Sequence, residues 1–192
     1  MKKVVQDDSR EKMLCELFKL TATNSNRIGT DCILFDINDA KIELKTTTKN
    51  SISTARDVGF HTIQKWRELY WICAKGNNEE KGYHIEKIFF LHPLDLEEWF
   101  KKIENDLQNK KNIIKDVLDI LKKEKFRQYL ETEKLLHRGN LKNDPNIPWS
   151  YIEKFGTKIE TNHAEKLRYL IKKRPIISNY VSEINTLIAF CS

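Results

Sequence analysis

Apolar residues recur with two different periods along the chain, and the period predicts the type of each element. Near the start, Asp8-Ser9-Arg10-Glu11 resembles a capping box and precedes apolar residues at helical spacing, so we predict a helix over residues 9–20. Between residues 32 and 45, apolar and polar residues alternate around the turn-forming sequence Ile37-Asn38-Asp39. This second pattern predicts a β-hairpin.

The rest of the chain alternates between the two kinds of pattern. Residues 70–74 and 85–91 are apolar runs typical of buried strands, and the segment 63–69 fits either a strand or a short helix. A helix begins at Leu96, and the charged stretch 101–137 predicts two amphipathic helices.

The last predicted element is a basic helix that begins near His163 and ends at Pro175. Because the predicted strands are flanked by helices, we expect an α/β or α+β fold with a central mixed sheet.

Composition narrows the class of protein. The chain has 192 residues, of which 40% are hydrophobic, and this suits a single globular domain. Its 34 Lys and Arg against 28 Asp and Glu give a net charge of +6, which favours a nucleic-acid partner. Residues 1–10 lack the apolar core of a signal peptide, and no apolar run is long enough to span a bilayer. We therefore expect a cytoplasmic protein without membrane contact.

The cysteine spacing agrees with that location. No two cysteines form a C-x-x-C pair or a metal-finger pattern, so we expect reduced, mostly buried thiols. The cysteines are Cys15, Cys32, Cys73 and Cys191.

Candidate catalytic residues lie on one face of the predicted hairpin. Glu43 and Lys45 point in the same direction because strand side chains alternate. A three-residue turn at 37–39 would place Asp31 opposite Lys45 on that face, whereas a two-residue turn would place Asp31 on the other face. Two carboxylates and one ammonium group suit Mg²⁺ and a phosphodiester, since hard oxygen ligands hold the cation while lysine contacts the phosphate or the attacking water.

The pattern alone leaves a second interpretation open. An acid followed two positions later by lysine occurs three times, at residues 39–41, 43–45 and 79–81. Glu43 and Lys45 could therefore form an ordinary solvated salt bridge, worth about 0–1 kcal/mol. Context separates the second triplet, because it ends an apolar strand, has Asp31 on the preceding arm and is followed by the polar stretch 46–51.

Several separated blocks resemble the PvuII-like family of type II restriction endonucleases, within the Asp…Glu-x-Lys nuclease superfamily. The resemblance covers residues 27–160. Its blocks are Gly29-Thr30-Asp31, Glu43-Leu44-Lys45, Ile52-Ser53-Thr54, Trp71-Ile72, Leu91-His92-Pro93-Leu94-Asp95-Leu96-Glu97, and Asn143-Asp144-Pro145-Asn146-Ile147-Pro148 with Tyr151 and Gly156-Thr157-Lys158-Ile159.

The resemblance implies a restriction-endonuclease-like fold and a catalytic mechanism. Asp31 and Glu43 would bind Mg²⁺ with help from the Leu44 carbonyl, and Lys45 would orient or activate the attacking water. The expected activity is hydrolysis of double-stranded DNA at a short palindromic site, leaving 5′-phosphate ends. The expected partners are a second copy of the chain, forming a homodimer, and a DNA methyltransferase of the same restriction-modification system.

The resemblance also implies a set of DNA contacts in which this chain departs from the family. Arg56 and Asp57 stand where the family has two histidines, and Asp144 replaces an asparagine. Arginine suits guanine and an acid suits cytosine, so we expect a G/C-containing half-site, although Arg56 and Asp57 could instead pair with each other. The candidate DNA-binding residues are Thr46, Ser53, Thr54, Arg56, Asp57, His61, Asn143, Asp144 and Lys158.

Further departures concern the metal site. The gap from Asp31 to Glu43 is longer than the family's by two residues, and Ile28 replaces an acid. Glu11 or Glu16 on the first helix are candidate replacements for that acid. Asp36 is either a substitute ligand or a charge at the end of the hairpin.

The expected organisation is a single nuclease domain, 1–192, with five parts. Its first helix would supply the dimer contact through Met13, Leu14, Leu17 and Phe18. In the tail, Lys166, Arg168, Lys172, Lys173 and Arg174 either grip the DNA backbone or form a solvated face. The parts are an N-terminal helix and dimerisation element (1–27), a catalytic sheet core (28–100), a helical insertion (101–138), a DNA-recognition segment (139–160) and a C-terminal helical extension (161–192).

Two other functions stay open. A structure-selective or DNA-repair nuclease would use the same site chemistry, but its cleavage would depend on DNA form. A non-catalytic basic binding module would bind DNA without metal and without nicking it.

Overall fold

The computed structural model describes residues 8–23, 30–56, 58–79, 82–121 and 144–176. Its strands are β1 (Thr21–Ala22), β2 (Cys32–Leu34), β3 (Ala40–Thr47), β4 (Ser51–Ser53), β5 (Tyr70–Glu79), β6 (Gly82–Leu91), β7 (Asn146–Pro148) and β8 (Thr157–Lys158). Six of them form one sheet in the order β1-β2-β3-β5-β6-β8, and β4 and β7 form a separate pair.

The helices lie between and after these strands. They are α1 (Asp8–Phe18), α2 (Phe60–Trp66), α3 (Glu97–Leu121), α4 (Trp149–Phe155) and α5 (His163–Lys173), with a 3₁₀ turn at Pro93–Leu96. No helix among the described residues combines the length and apolar content needed to cross a membrane.

The sheet is mixed, as predicted. β3 runs parallel to β5, and the connection between them contains α2, while the other pairings of the six-stranded sheet are antiparallel. A parallel pair needs such a crossover, so the segment 63–69 is the end of a helix and its last turn, not a strand. The α+β prediction is confirmed.

Two apolar layers cover the two faces of the sheet. On one face α1 and α5 pack over Ile42 and Leu44, and this layer includes Leu14 and Phe18, both 0% exposed. On the other face α2 and α3 pack against Trp71, and α4 packs against Phe89 in the same apolar layer. β3 lies between these layers, and its side chains alternate between them.

The bounds of two helices, α1 and α3, differ from the prediction. α1 ends at Phe18 because Lys19 adopts a left-handed conformation with φ of 53°, and the N–H of Leu20 then caps the helix on the carbonyl of Cys15. α3, a helix of 25 residues, covers residues 101–121 of the stretch predicted as two helices, and the second predicted helix stays untested because residues 122–137 lie outside the described residues. α3 begins at Glu97 because the 3₁₀ turn at Pro93–Leu96 precedes it.

The predicted dimer surface on α1 requires a correction. Leu14 and Phe18 belong to the chain's own core, because they pack with the sheet and α5. Leu17, at 36% exposed, and the half-buried Met13 are the apolar residues of this set that solvent reaches. The dimer contact through α1 stays a prediction for these two residues only.

One charged cluster joins α2 to α3. Arg67, only 7% exposed, donates two hydrogen bonds to Glu97 and two to Glu104, at distances from 2.6 to 3.0 Å, and its guanidinium lies over the ring of Phe100. Because an arginine buried in this way needs both acids, the cluster fixes α3 against the layer that contains Trp66.

The Arg67→Met variant should therefore lower the free energy of unfolding by about 3 kcal/mol, at the low end for a broken buried ion pair, since Glu97 and Glu104 keep some solvent contact. Urea denaturation measures this change. The matched control is Lys87→Met, which breaks the exposed Lys87–Glu153 pair and should cost less than about 1 kcal/mol. Equal losses in the two variants would contradict the assignment.

Candidate active site

Asp31, Glu43 and Lys45 come together on one face of the sheet. Glu43 and Lys45 lie on β3, which is paired on one side with β2 and on the other with β5, and Asp31 immediately precedes β2. The Lys45 Nζ atom is 2.6 Å from Oε1 of Glu43 and 3.9 Å from Oδ2 of Asp31. The structure thus brings the three predicted catalytic residues together.

The backbone of β3 holds Asp31 directly. The N–H of Leu44 donates a hydrogen bond of 2.7 Å to Oδ2 of Asp31. This contact fixes one carboxylate oxygen beside the middle residue of the Glu-x-Lys triplet. It also accounts for the position of Asp31 in the cluster, although Asp31 lies before the first paired residue of β2.

The turn that produces this arrangement is longer than predicted. The last pair of the hairpin is Leu34 with Ala40, not Asp36 with Ala40, because Asn38 and Asp39 both adopt left-handed conformations in the connection. Extending the register places Asp31 beside Glu43, so the predicted position opposite Lys45 is wrong. The shift is two residues, an even number, and the shared face is therefore preserved.

Thr23 supports the position of Asp31 and was missed in the sequence. Its N–H donates a 3.0 Å hydrogen bond to the Asp31 carbonyl, and its hydroxyl donates to the Thr30 carbonyl. No sequence motif marks Thr23, because its contact arises from the pairing of β1 with β2.

The site is more buried than a surface salt bridge. Glu43 is 7% exposed, and the side chains of Lys45 and Asp31 are 17% and 23% exposed. Glu43 and Lys45 lie beside Trp71 and Cys73, both 0% exposed, in the parallel register with β5. The interpretation as a solvated salt bridge does not fit this burial.

Burial and charge together set the ionisation of the pair. Burial raises the pKa of Glu43, and the charge of Asp31 adds to this rise, while Lys45 opposes both. Burial alone would lower the pKa of Lys45, but the charges of Glu43 and Asp31 outweigh it, so the pKa of Lys45 is raised. Lys45 is therefore a charged ammonium group at neutral pH.

The donor set fits a hard divalent cation. Mg²⁺ keeps several of its waters and binds through one or two carboxylates, which Asp31 and Glu43 supply, with the Leu44 carbonyl on the same strand segment. The Lys45 ammonium group lies within 4 Å of an oxygen of each carboxylate, so both acids already face a positive charge. Within the described residues, no group of three or more His, Cys, Asp or Glu side chains suits a metal.

Of the two acids considered as replacements on α1, Glu11 acts electrostatically on this site. The charge of Glu11 raises the pKa of both Glu43 and Lys45. Ile28 lies outside the described residues. Asp36 is bound elsewhere, since its Oδ2 atom is 2.7 Å from Nε of Arg168 on α5, and this contact favours a charge at the end of the hairpin.

The predicted DNA-binding residues fall into separate groups. Ser53 on β4 pairs with Asn146 on β7, and the hydroxyl of Thr54 donates a 2.6 Å hydrogen bond to the Pro145 carbonyl. These contacts bring the Ser-Thr block next to the exposed Asp144. The distant blocks therefore meet in the folded chain.

The other predicted contacts are placed as follows. Thr46 directly follows Lys45 on β3, and Arg56 and His61 are exposed. Lys158 lies on β8, with β5 and β6 between it and β3, roughly 14 Å away at the usual strand spacing, and it pairs with Glu160. Asp57 and Asn143 lie outside the described residues.

The basic residues of the tail divide into two groups. Arg168 binds Asp36, and Arg174 pairs with Asp95 at 2.7 Å, so both hold the fold together. The remaining three, Lys166, Lys172 and Lys173, are exposed.

The chain matches the model of a known protein family. The model of the family described as "Restriction endonuclease PvuII" matches residues 1–159, a span that contains Asp31, Glu43 and Lys45. A search of curated proteins found no match. The matched span ends before α5, although Leu167 and Ile171 of that helix complete the core over β3.

The electrostatic coupling predicts opposite effects of two substitutions. Lys45→Met should raise the pKa of Glu43 further, because a lysine charge that favours the carboxylate is lost, whereas Asp31→Asn should lower it. The measurement is an NMR pH titration of ¹³C-labelled Glu43 without divalent metal. A lower Glu43 pKa in Lys45→Met would show that the two groups do not interact as described.

Proposed function

The chain belongs to the restriction endonuclease PvuII family, and from that premise we propose that it is a type II enzyme that uses Mg²⁺ to cut double-stranded DNA at a short palindromic site. The family implies endodeoxyribonuclease activity. One observation supports the finer proposal. A carboxylate oxygen of Asp31 and one of Glu43 both lie within 4 Å of the Lys45 Nζ atom, in a buried part of the sheet.

Each residue of the cluster has a distinct role in this proposal. Asp31 and Glu43, with the Leu44 carbonyl, hold Mg²⁺, which acidifies water and neutralises charge on the scissile phosphate when bound. Lys45 contributes a point charge that binds the phosphate and orients the attacking water. Because its pKa is raised, Lys45 acts through its charge and its donated hydrogen bonds. The DNA product carries a 5′-phosphate.

Sequence reading is proposed for the segment around β4 and β7. The antiparallel pair aligns Ser53 with Asn146, and Thr54 contacts Pro145 next to Asp144, so several polar groups share one small surface. Arg56 is exposed close by in the chain and suits guanine, while Asp144 suits the amino group of cytosine. A G/C-containing half-site follows from this assignment.

The proposed assembly is a homodimer, because a twofold protein matches a twofold DNA site. We also propose a cytoplasmic location and a methyltransferase of the same system that protects host DNA. The division of the single domain into five parts stays a proposal, and α3 crosses the proposed boundary at residues 100 and 101, since Trp99, Phe100 and Ile103 of this helix all lie in one core cluster.

Plasmid DNA incubated with the protein and Mg²⁺ should be cut at one short sequence, and sequencing of the ends should show a palindrome with G·C pairs and 5′-phosphates. A chelator should abolish the cleavage. An A/T-only site would contradict the assignment of Arg56 and Asp144. Cleavage that follows DNA form and not sequence would instead select a structure-selective nuclease.

Substitutions separate binding from cleavage. Asp31→Ala and Lys45→Ala should lower the cleavage rate at least about 100-fold, by analogy with loss of one preorganised charged group, while duplex binding measured by gel shift persists. The matched control is Lys41→Ala, which removes an exposed lysine of the same strand and should cut at nearly the normal rate. Full cleavage by either site variant would rule out the proposed roles.

A further inference from the structure

Two buried cysteines meet between α1 and β2. The Sγ atoms of Cys15 and Cys32 are 2.6 Å apart, and the residues are 8% and 1% exposed. Both belong to the apolar layer under α1, and both are thiols in this structure. Cys32 directly follows Asp31, so this contact lies one residue from the proposed catalytic site.

The distance between the sulfurs favours a covalent bond over a metal site. Two cysteines on a tetrahedral zinc ion, with zinc–sulfur bonds of about 2.3 Å, hold their sulfurs about 3.8 Å apart. The separation of 2.6 Å is much shorter and needs to close by only about 0.5 Å to reach a disulfide bond length. Since the described residues contain no metal-ligand group of three, zinc has no further ligands here.

We propose that Cys15 and Cys32 form a reversible intrachain disulfide that joins α1 to the strand next to Asp31. The proposal concerns a modification site and does not depend on the proposed nuclease function. Cys73 is 0% exposed on β5, and the structure gives it no sulfur neighbour among the described residues, so it serves as a reference thiol.

The oxidant is a small peroxide, and the chemistry balances in two steps. Cys15, the more exposed of the two, attacks one peroxide oxygen, so a sulfur–oxygen bond forms and the oxygen–oxygen bond breaks with release of water. The Cys32 sulfur then attacks the Cys15 sulfur, the sulfur–sulfur bond forms and the sulfur–oxygen bond breaks, releasing a second water. Both thiols are oxidised and one peroxide is reduced. A dithiol reductant reverses the reaction by thiol–disulfide exchange.

The bond would close the segment between α1 and β2, which contains β1 and Thr23. Because the sulfurs are already adjacent, the link should not displace Asp31, and its main effect is to restrict the unfolded chain. For a closed segment of this length, oxidation should raise the melting temperature by roughly 5–10 °C.

The test uses the full chain treated with hydrogen peroxide and then compared before and after reduction. Peptide mapping by mass spectrometry should show a cross-linked peptide pair containing Cys15 and Cys32, lighter by two hydrogen atoms. Differential scanning calorimetry should show the higher melting temperature in the oxidised sample, and the shift should disappear on reduction. The Cys73→Ala variant, which puts no polar group into the core, should show the same cross-linked peptide and the same redox-dependent shift as the unmodified chain.

The Cys15→Ser variant should lose both the cross-linked peptide and the redox-dependent shift. Two results would overturn the proposal: Cys15 and Cys32 both remaining accessible to alkylation in the oxidised, denatured protein, or cross-links found only between chains. The comparison of oxidised with reduced wild-type protein needs no substitution, so it is decisive even where a variant folds poorly. Neither measurement uses DNA cleavage, and failure here leaves the nuclease proposal untouched.

Discussion

The contact between the Lys45 ammonium group and the Glu43 carboxylate is the interaction on which the site depends. An ion pair that is largely removed from water is costly, and its Coulombic attraction repays that cost only when the geometry is good and further polar groups assist. Here Asp31 supplies the second negative charge, and the Leu44 N–H holds Asp31 in place. Such a cluster adds little to stability, which makes a chemical role the better explanation for its presence.

The position of β3 inside the sheet determines where Glu43 and Lys45 lie. β3 runs between β2 and β5, so its backbone is bonded on both sides and its side chains alternate between two apolar layers. Ile42 and Leu44 anchor the strand in one layer, and that anchoring forces Glu43 and Lys45 to the other face. The α1 helix then closes the first layer through Leu14 and Phe18.

Local patterns predicted the elements and the shared face but not the contacts between distant segments. Alternation in β3 is a property of neighbouring residues, so the common face of Glu43 and Lys45 could be predicted, and the shift of the turn by two residues left it intact. The length of the turn depended on left-handed conformations at Asn38 and Asp39. Three contacts arise from tertiary packing, and no spacing in the sequence predicts them. They are the hydrogen bond from Thr23 to Asp31, the Asp36–Arg168 ion pair and the Cys15–Cys32 contact.

We propose above all that Asp31 and Glu43 together bind a divalent cation. A crystal structure of the protein soaked with Mn²⁺, with anomalous difference maps, tests it directly. We expect an anomalous peak bonded to a carboxylate oxygen of each residue and to the Leu44 carbonyl, with the Lys45 ammonium group moved away from the two carboxylates. A map with no peak there, while both carboxylates keep their contacts to Lys45, would contradict it.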